Sequence, residues 1–174
     1  MSERTFIETL HEDREELINY PFDVTQTFPS TPIEELERLL DPNILYDITE
    51  KKAPHYSMRE RKIHMPDRKH YFCEYAFYCA ALHEMAHSTR DTSVRRNLPY
   101  PQEEVVAQMT AMKIMKEYRD VVWWNLDCSY LRNYLQQATV EYNRRTGSTV
   151  SIEQMRDACA VIANDVVKAI RKRR

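Results

Sequence analysis

The sequence predicts a mostly helical α+β domain with a small sheet at its edge, and three observations carry that prediction. The 174 residues contain one glycine, Gly147, so turns must be built from Pro, Asn, Asp and Ser, which disfavours tight primed hairpins and many strands. Apolar residues recur at three- and four-residue steps over several long segments, the period of an amphipathic or buried helix. Hydrophobic residues make up 43% and charged residues 30%, the mixture of an ordinary soluble globular domain rather than a disordered or membrane chain.

Residues 4–19 read as a first helix, with Phe6, Ile7, Leu10, Leu17 and Ile18 near one stripe, closed by PFDVTQTFP. Ser30-Thr31-Pro32-Ile33-Glu34 is a helix start: Thr31 caps, Pro32 suits the first helical position and Glu34 completes a capping box. That helix runs to about Leu40, before Asp41-Pro42. Between Asn43 and Pro66 the helical period is lost, and ILYDI and RKIHMP alternate as one or two short strands, with Pro66 favouring an edge or a strand end.

From about Lys69 to Thr89 a strongly helical pattern returns, with Phe72, Tyr75, Ala76, Cys79, Leu82 and Ala86 in register. After the connector RDTSVRRNLPYP, Pro101 opens another helix, PQEEVVAQMTAMKIMKEY. Two more are expected at about 126–143 and 151–171, joined by NRRTGST, where Gly147 takes a left-handed cap and Ser151 starts the last helix. Residues 1–53 are expected to be an N-terminal helical extension packed on the same domain, and residues 54–174 the domain proper.

The formal charge of −2 gives no global field for nucleic acid. The basic tail KAIRKRR, with Arg144, Arg145, Arg61, Lys62 and Arg68, leaves nucleic acid as a partner that is allowed but not favoured. The tail is more simply a cationic helix end that complements the dipole. No run approaches the roughly 18 apolar residues of a membrane span, and MSERTFIETLHEDREEL has no apolar core of a signal peptide. Cys73, Cys79, Cys128 and Cys159 form no CxxC pair and read as free, buried thiols of a reducing cytoplasm. Trp123-Trp124 reads as a cap on a core or loop, and His64 and His70 as surface or hydrogen-bonded histidines.

The chemistry lies in HEMAHST, residues 83–89. On a helix, residues four apart share a face, so His83 and His87 can each offer a ring nitrogen to one metal ion, with Glu84 beside it as a base. The plain alternative is three polar residues at a solvated helix end. Against it, YFCEYAFYCAALHEMAH is too apolar for an exposed helix, and buried imidazoles need partners. A third ligand can come from EEVVAQ, where Glu103, Glu104 and Gln108 are the candidates. Glu104 and Gln108 share a face, so Glu104 could reach the ion while Gln108 holds a ligand histidine; Glu103 and Glu104 also suit a first helical turn.

These residues resemble the zincin-like metallopeptidase domain of ArdC-type antirestriction proteins and of phage and plasmid polyvalent proteins. The likeness runs through HYSMRERKIHMP, HYFCEYAFYCAALHEMAHST and YPQEEVVAQ, and more weakly through DCSYLRNYL and the last helix. It implies a gluzincin-type fold over residues 54–174 with Zn2+ on His83, His87 and Glu104. It also implies Glu84 as catalytic base, Tyr100 as an oxyanion or substrate-orienting group, and Gln108 and Thr89 in support. Gln108 and Arg90 stand where the family usually has glutamate and glycine. The function expected is zinc-dependent hydrolysis of a cytoplasmic protein or peptide by a mobile-element protein. The alternative is a non-catalytic antirestriction factor whose structural zinc supports a surface that blocks a host defence protein or binds single-stranded DNA.

Overall fold

The helical periods of the sequence become helices, and the stretch without a period becomes a small sheet. The computed structural model describes residues 34–40, 42, 44–47, 53–68, 71, 74–90, 97–118 and 124–172. The elements are α1 Glu34–Leu39, β1 Leu45–Asp47, β2 His55–Ser57, β3 Lys62–Pro66, α2 Glu74–Ser88, α3 Tyr100–Met115, α4 Trp124–Thr146 and α5 Ile152–Arg171. The expected helix at 4–19, the Thr31 cap, His70, Cys73, Trp123 and the side chains of Trp124 and Cys128 lie outside the described residues.

The sheet has the order β1-β3-β2, with β1 parallel and β2 antiparallel to β3. Of the two places that Pro66 favours, an edge and a strand end, the second is the one observed: β3 is the central strand, β1 and β2 are the edges, and IHMP is therefore not an edge. Pro66 is tolerated because it is the last residue of β3, opposite Asp47, where a missing N–H interrupts nothing beyond the strand end. Along β3 Ile63 and Met65 are buried, whereas Lys62 is exposed and His64 half-buried, the alternation of a sheet with one covered face. With no glycine in the β2–β3 turn, Arg61 takes the left-handed conformation at φ 53°. His64 is held by Glu60 at 2.7 Å and stacks on His55 across the strands at 4.8 Å.

Helix α2 packs on β2 and β3 and, on its other side, along α3. It begins at Glu74 rather than near Lys69, and Tyr71 lies outside it. Its residues Phe77, Tyr78, Ala81, Leu82 and Ala86 are wholly buried, which is why its apolar composition did not read as a surface helix. Helix α3 is the centre of the molecule: it packs against α2, α4 and α5, and every residue from Pro101 to Ala111 is buried. Helix α5 is amphipathic, burying Met155, Cys159, Ala163, Val166 and Ile170. It opens on the expected Ser151 cap, completed by Gln154 into a capping box, after Gly147 at φ 70°. Cys79 and Cys159 are free thiols.

Residues 34–44 add Leu36, Leu39 and Ile44 to the same core. Glu37 ties this segment down: its carboxylate accepts from Arg68 Nη2 at 2.5 Å and from the hydroxyl of buried Tyr78, while the Arg68 guanidinium lies 4.3 Å above the Phe77 ring. Glu37→Ala removes an acceptor shared by a cation and a buried phenol, a loss of about 1–3 kcal/mol. The expected readout is a lower urea midpoint at unchanged slope. Arg156→Ala, which breaks the exposed Arg156–Asp157 pair, is expected to leave the midpoint in place.

Candidate metal centre

A central helix that is buried all round ordinarily carries apolar residues, yet α3 buries Gln102, Glu103, Glu104, Gln108 and Thr110. Buried polar groups persist when they are paired. Thr110 returns its hydroxyl to Val106 O at 2.7 Å, and Gln102 Nε2 meets Met155 Sδ at 3.1 Å. The other three face the two histidines of α2, and among the described residues His83, His87 and Glu104 form the only group of three or more His, Cys, Asp or Glu side chains that could hold a metal ion.

The geometry is a convergence of ring nitrogens and one carboxylate. His83 Nε2 and His87 Nε2 are 3.1 Å apart, Glu104 Oε2 is 3.3 Å from the first and Glu104 Oε1 is 3.5 Å from the second. Behind the rings, His83 Nδ1 lies 2.9 Å from Gln108 Oε1 and His87 Nδ1 lies 3.3 Å from Glu103 Oε1. Both of those oxygens are acceptors, so each Nδ1 donates and each Nε2 is left with a lone pair. Two lone pairs and a carboxylate facing one point repel one another unless a cation sits among them. Ligand atoms on a tetrahedron with bonds of about 2.0–2.1 Å are roughly 3.3–3.4 Å apart, which the three separations bracket. The donor set therefore fits a divalent ion, with Gln108 and Glu103 fixing the two tautomers.

Without an ion, the same convergence of acceptors favours a proton on His83. Burial works to lower the pKa of His83, but its hydrogen bond to the Glu104 carboxylate, the charges of Glu84 and Glu104 and its bond to Gln108 outweigh it and raise it. Burial pushes Glu104 up, but hydrogen bonds from His83 and Tyr130 and the nearby imidazoles hold it down at about 2. Glu104 is thus an anion throughout the physiological range. Tyr130, from α4, donates its hydroxyl to Glu104 Oε2 at 2.6 Å, and its ring lies 6.1 Å from that of His83.

The residues singled out in the sequence fall as follows. His83, Glu104 and Gln108 are buried and His87 nearly so. Glu84, 7% exposed, neighbours His83 on α2. The hydroxyl of Tyr71 is buried with no hydrogen-bond partner among the described residues, and burial together with the charge of Glu84 raises its pKa. Thr89 donates to Ala86 O at 2.8 Å and, with Ser88 donating to Met85 O, closes the end of α2 just past His87. Tyr100 stands at the rim, 62% exposed. His64 is engaged on the sheet by Glu60 and His55. Sequence reasoning missed two participants. Glu103, 1% exposed, was one of three candidates without a role of its own. Tyr130 sat in DCSYLRNYL with nothing local to mark it.

A family model described as a zincin-like metallopeptidase matches residues 34–144, from α1 through nearly all of α4 and so across the whole cluster. No curated protein and no solved structure matches the chain.

Purified protein is expected to carry one equivalent of a divalent ion by elemental analysis, and His83→Ala and Glu104→Ala are each expected to lose it. Metal retained in Glu104→Ala would remove that residue from the ligand set. Glu103→Ala is expected to weaken metal affinity roughly 10–100-fold, read by chelator competition, because His87 loses its Nδ1 acceptor.

The metal-free protein has its own pH dependence. The depressed pKa of Glu104 contributes stability that is full above its ordinary value of 4.5 and is lost as the pH falls toward about 2. The raised pKa of His83 contributes stability that is full below its ordinary value of 6.5 and is lost as the pH rises through the folded value. Both contributions coexist between pH 4.5 and 6.5. Chelator-treated protein is expected to gain most from this pair in that window, and Glu104→Gln to flatten the profile of denaturation midpoint against pH.

Proposed function

Because the chain belongs to the zincin-like metallopeptidase family, we propose that it is a zinc-dependent peptidase whose hydrolytic centre is His83, His87, Glu104 and Glu84. The observation that carries the reading is the convergence of two Nε2 atoms and one carboxylate, all within 4.8 Å of one another, beside a buried glutamate. Two imidazoles and one carboxylate are the ligand set of a catalytic rather than a structural zinc site, since three protein ligands leave a coordination position for water and substrate. When bound, the ion supplies Lewis acidity, acidifying water and polarising a carbonyl.

The protein's own groups do the rest. Glu84 takes the proton of the attacking water as its oxygen adds to the scissile carbonyl, and delivers that proton to the leaving amine as the C–N bond breaks. Gln108 and Glu103 keep each ligand imidazole in the tautomer with its Nε2 lone pair turned inward. Tyr130 steadies the Glu104 carboxylate. Tyr100, near Tyr134 and Glu104, is the hydroxyl donor offered to the negative oxygen that forms on the substrate carbonyl, because the Tyr130 proton is committed to Glu104. The buried body of α3 closes the centre from below, so substrate arrives from the side on which Tyr100 and Tyr130 are exposed.

The substrate class we propose is a protein or peptide of the cytoplasm. The resemblance of HEMAHST and YPQEEVVAQ to ArdC-type and polyvalent proteins supports a mobile-element setting in which a host defence protein is the target. No helix among the described residues is long and apolar enough to cross a membrane. Glu84→Gln keeps every metal ligand and removes only the base. It is expected to retain metal and to lose turnover by roughly 10²–10⁴-fold, measured by mass spectrometry on a peptide library. Unchanged turnover would overturn the mechanism, and a biological effect that survives Glu84→Gln but not His83→Ala would make the metal structural.

A further inference from the structure

Three tyrosines lead from solvent to the metal cluster. Tyr100 opens α3 and stands four residues before Glu104, so the two share a face of that helix; Tyr130 and Tyr134 share a face of α4 by the same spacing. Where the helices pack, the Tyr100 and Tyr134 rings meet edge to face at 6.0 Å, the Tyr134 and Tyr130 rings lie 4.6 Å apart, and the Tyr130 ring is 6.1 Å from His83. The series ends at the hydroxyl of Tyr130 on Glu104, 2.6 Å from an oxygen of the ligand cluster.

This is not a core cluster. Tyr100 is 62% and Tyr130 39% exposed and Tyr134 is half-buried, whereas the Phe77–Tyr78 contact within α2 is wholly buried. The Tyr130 hydroxyl is turned inward to Glu104, and hydrogen bonding ties the Tyr100 and Tyr134 hydroxyls into the same group. What remains toward solvent is ring surface, neutral and rigid, with two torsions per side chain to immobilise. Such a surface binds apolar and aromatic groups by area and by ring packing.

We propose that Tyr100, Tyr130 and Tyr134 form a substrate subsite that takes an aromatic or broad apolar side chain next to the bond being cut. The inference rests on the reading of the centre as a hydrolytic metal site with an open coordination position, and it adds the preference that site exerts. A group that reaches the cluster from this side passes Tyr100 and Tyr134 before Tyr130, so when the scissile bond lies at the cluster the flanking residue of an extended peptide lies along these rings. A basic side chain is the competing occupant, since cations also sit over tyrosine rings. It is disfavoured because the nearest anion, Glu104, is already engaged by Tyr130 and the histidines.

The test uses probes that anchor on the metal and need no known substrate. Zinc-loaded protein is titrated calorimetrically with acetohydroxamate, 3-phenylpropanohydroxamate and 6-aminohexanohydroxamate, which share the chelating group and differ in carrying nothing, a ring or a cation. The phenyl probe is expected to bind roughly tenfold to a hundredfold tighter than acetohydroxamate. Tyr134→Ala and, at the exposed rim, Tyr100→Ala are each expected to shrink that advantage, and Tyr134→Phe to keep it. Equal affinity of the phenyl probe and acetohydroxamate for wild type, an advantage that survives both alanine variants, or a preference for the amino probe would overturn the subsite. Failure of all three probes to bind zinc-loaded wild type would instead overturn the open metal site, and the subsite with it.

Discussion

The structure turns on one electrostatic constraint: two imidazoles and a carboxylate meet, out of water, where α2 crosses α3. An ionised group in such a place is costly unless it is paired and hydrogen-bonded. The surroundings supply what it needs. Each Nδ1 has an acceptor from α3, Glu104 has a hydroxyl from α4, and the inward atoms are spaced for a divalent ion. Helix α3 can be buried on every face and still carry glutamates because its polar side chains are spent on α2.

The two supports behind the histidines are unequal. Glu103 offers His87 a carboxylate, whereas Gln108 offers His83 a neutral amide oxygen and leaves its own Nε2 buried with no hydrogen-bond partner among the described residues. A carboxylate acceptor makes the opposite nitrogen more basic and the metal bond stronger. The amide therefore keeps the tautomer while giving up charge, and in a centre that already holds Glu84, Glu103 and Glu104 that reduces crowding of like charge. The unpartnered amide N–H is the cost of this choice.

The remainder of the fold holds the crossing in place. The sheet covers the outer side of α2, and the contact of Glu37 with Arg68 and Tyr78 draws α1 onto the strand end and the helix together. Helix α5 supports α3 from the other side, with Met155 taking the Gln102 amide. Helix α4 contributes differently. It brings the Tyr130 hydroxyl onto Glu104 and sets the Tyr134 ring beside that of Tyr130.

The sequence by itself determined what depends on local spacing. A four-residue step puts His83 and His87 on one face whatever surrounds them, and a four-residue step on the next helix does the same for Glu104 and Gln108. Capping at Ser151 and the left-handed turn at Gly147 are equally local, since each bond closes within a few residues. Only the tertiary structure decided what depends on partners distant in the chain. The alternation of IHMP reads the same in an edge strand and a central one; β3 is central because β1 arrives in parallel from the segment before the hairpin. Glu103 looked like ordinary negative charge in a first helical turn until the crossing angle set it against His87, sixteen residues away. Tyr130 acquired its role from an approach of α4 that no periodicity encodes. Spacing along one helix fixes direction, but contact between helices is set by how their side chains fill the space between them, and that is a property of the whole core.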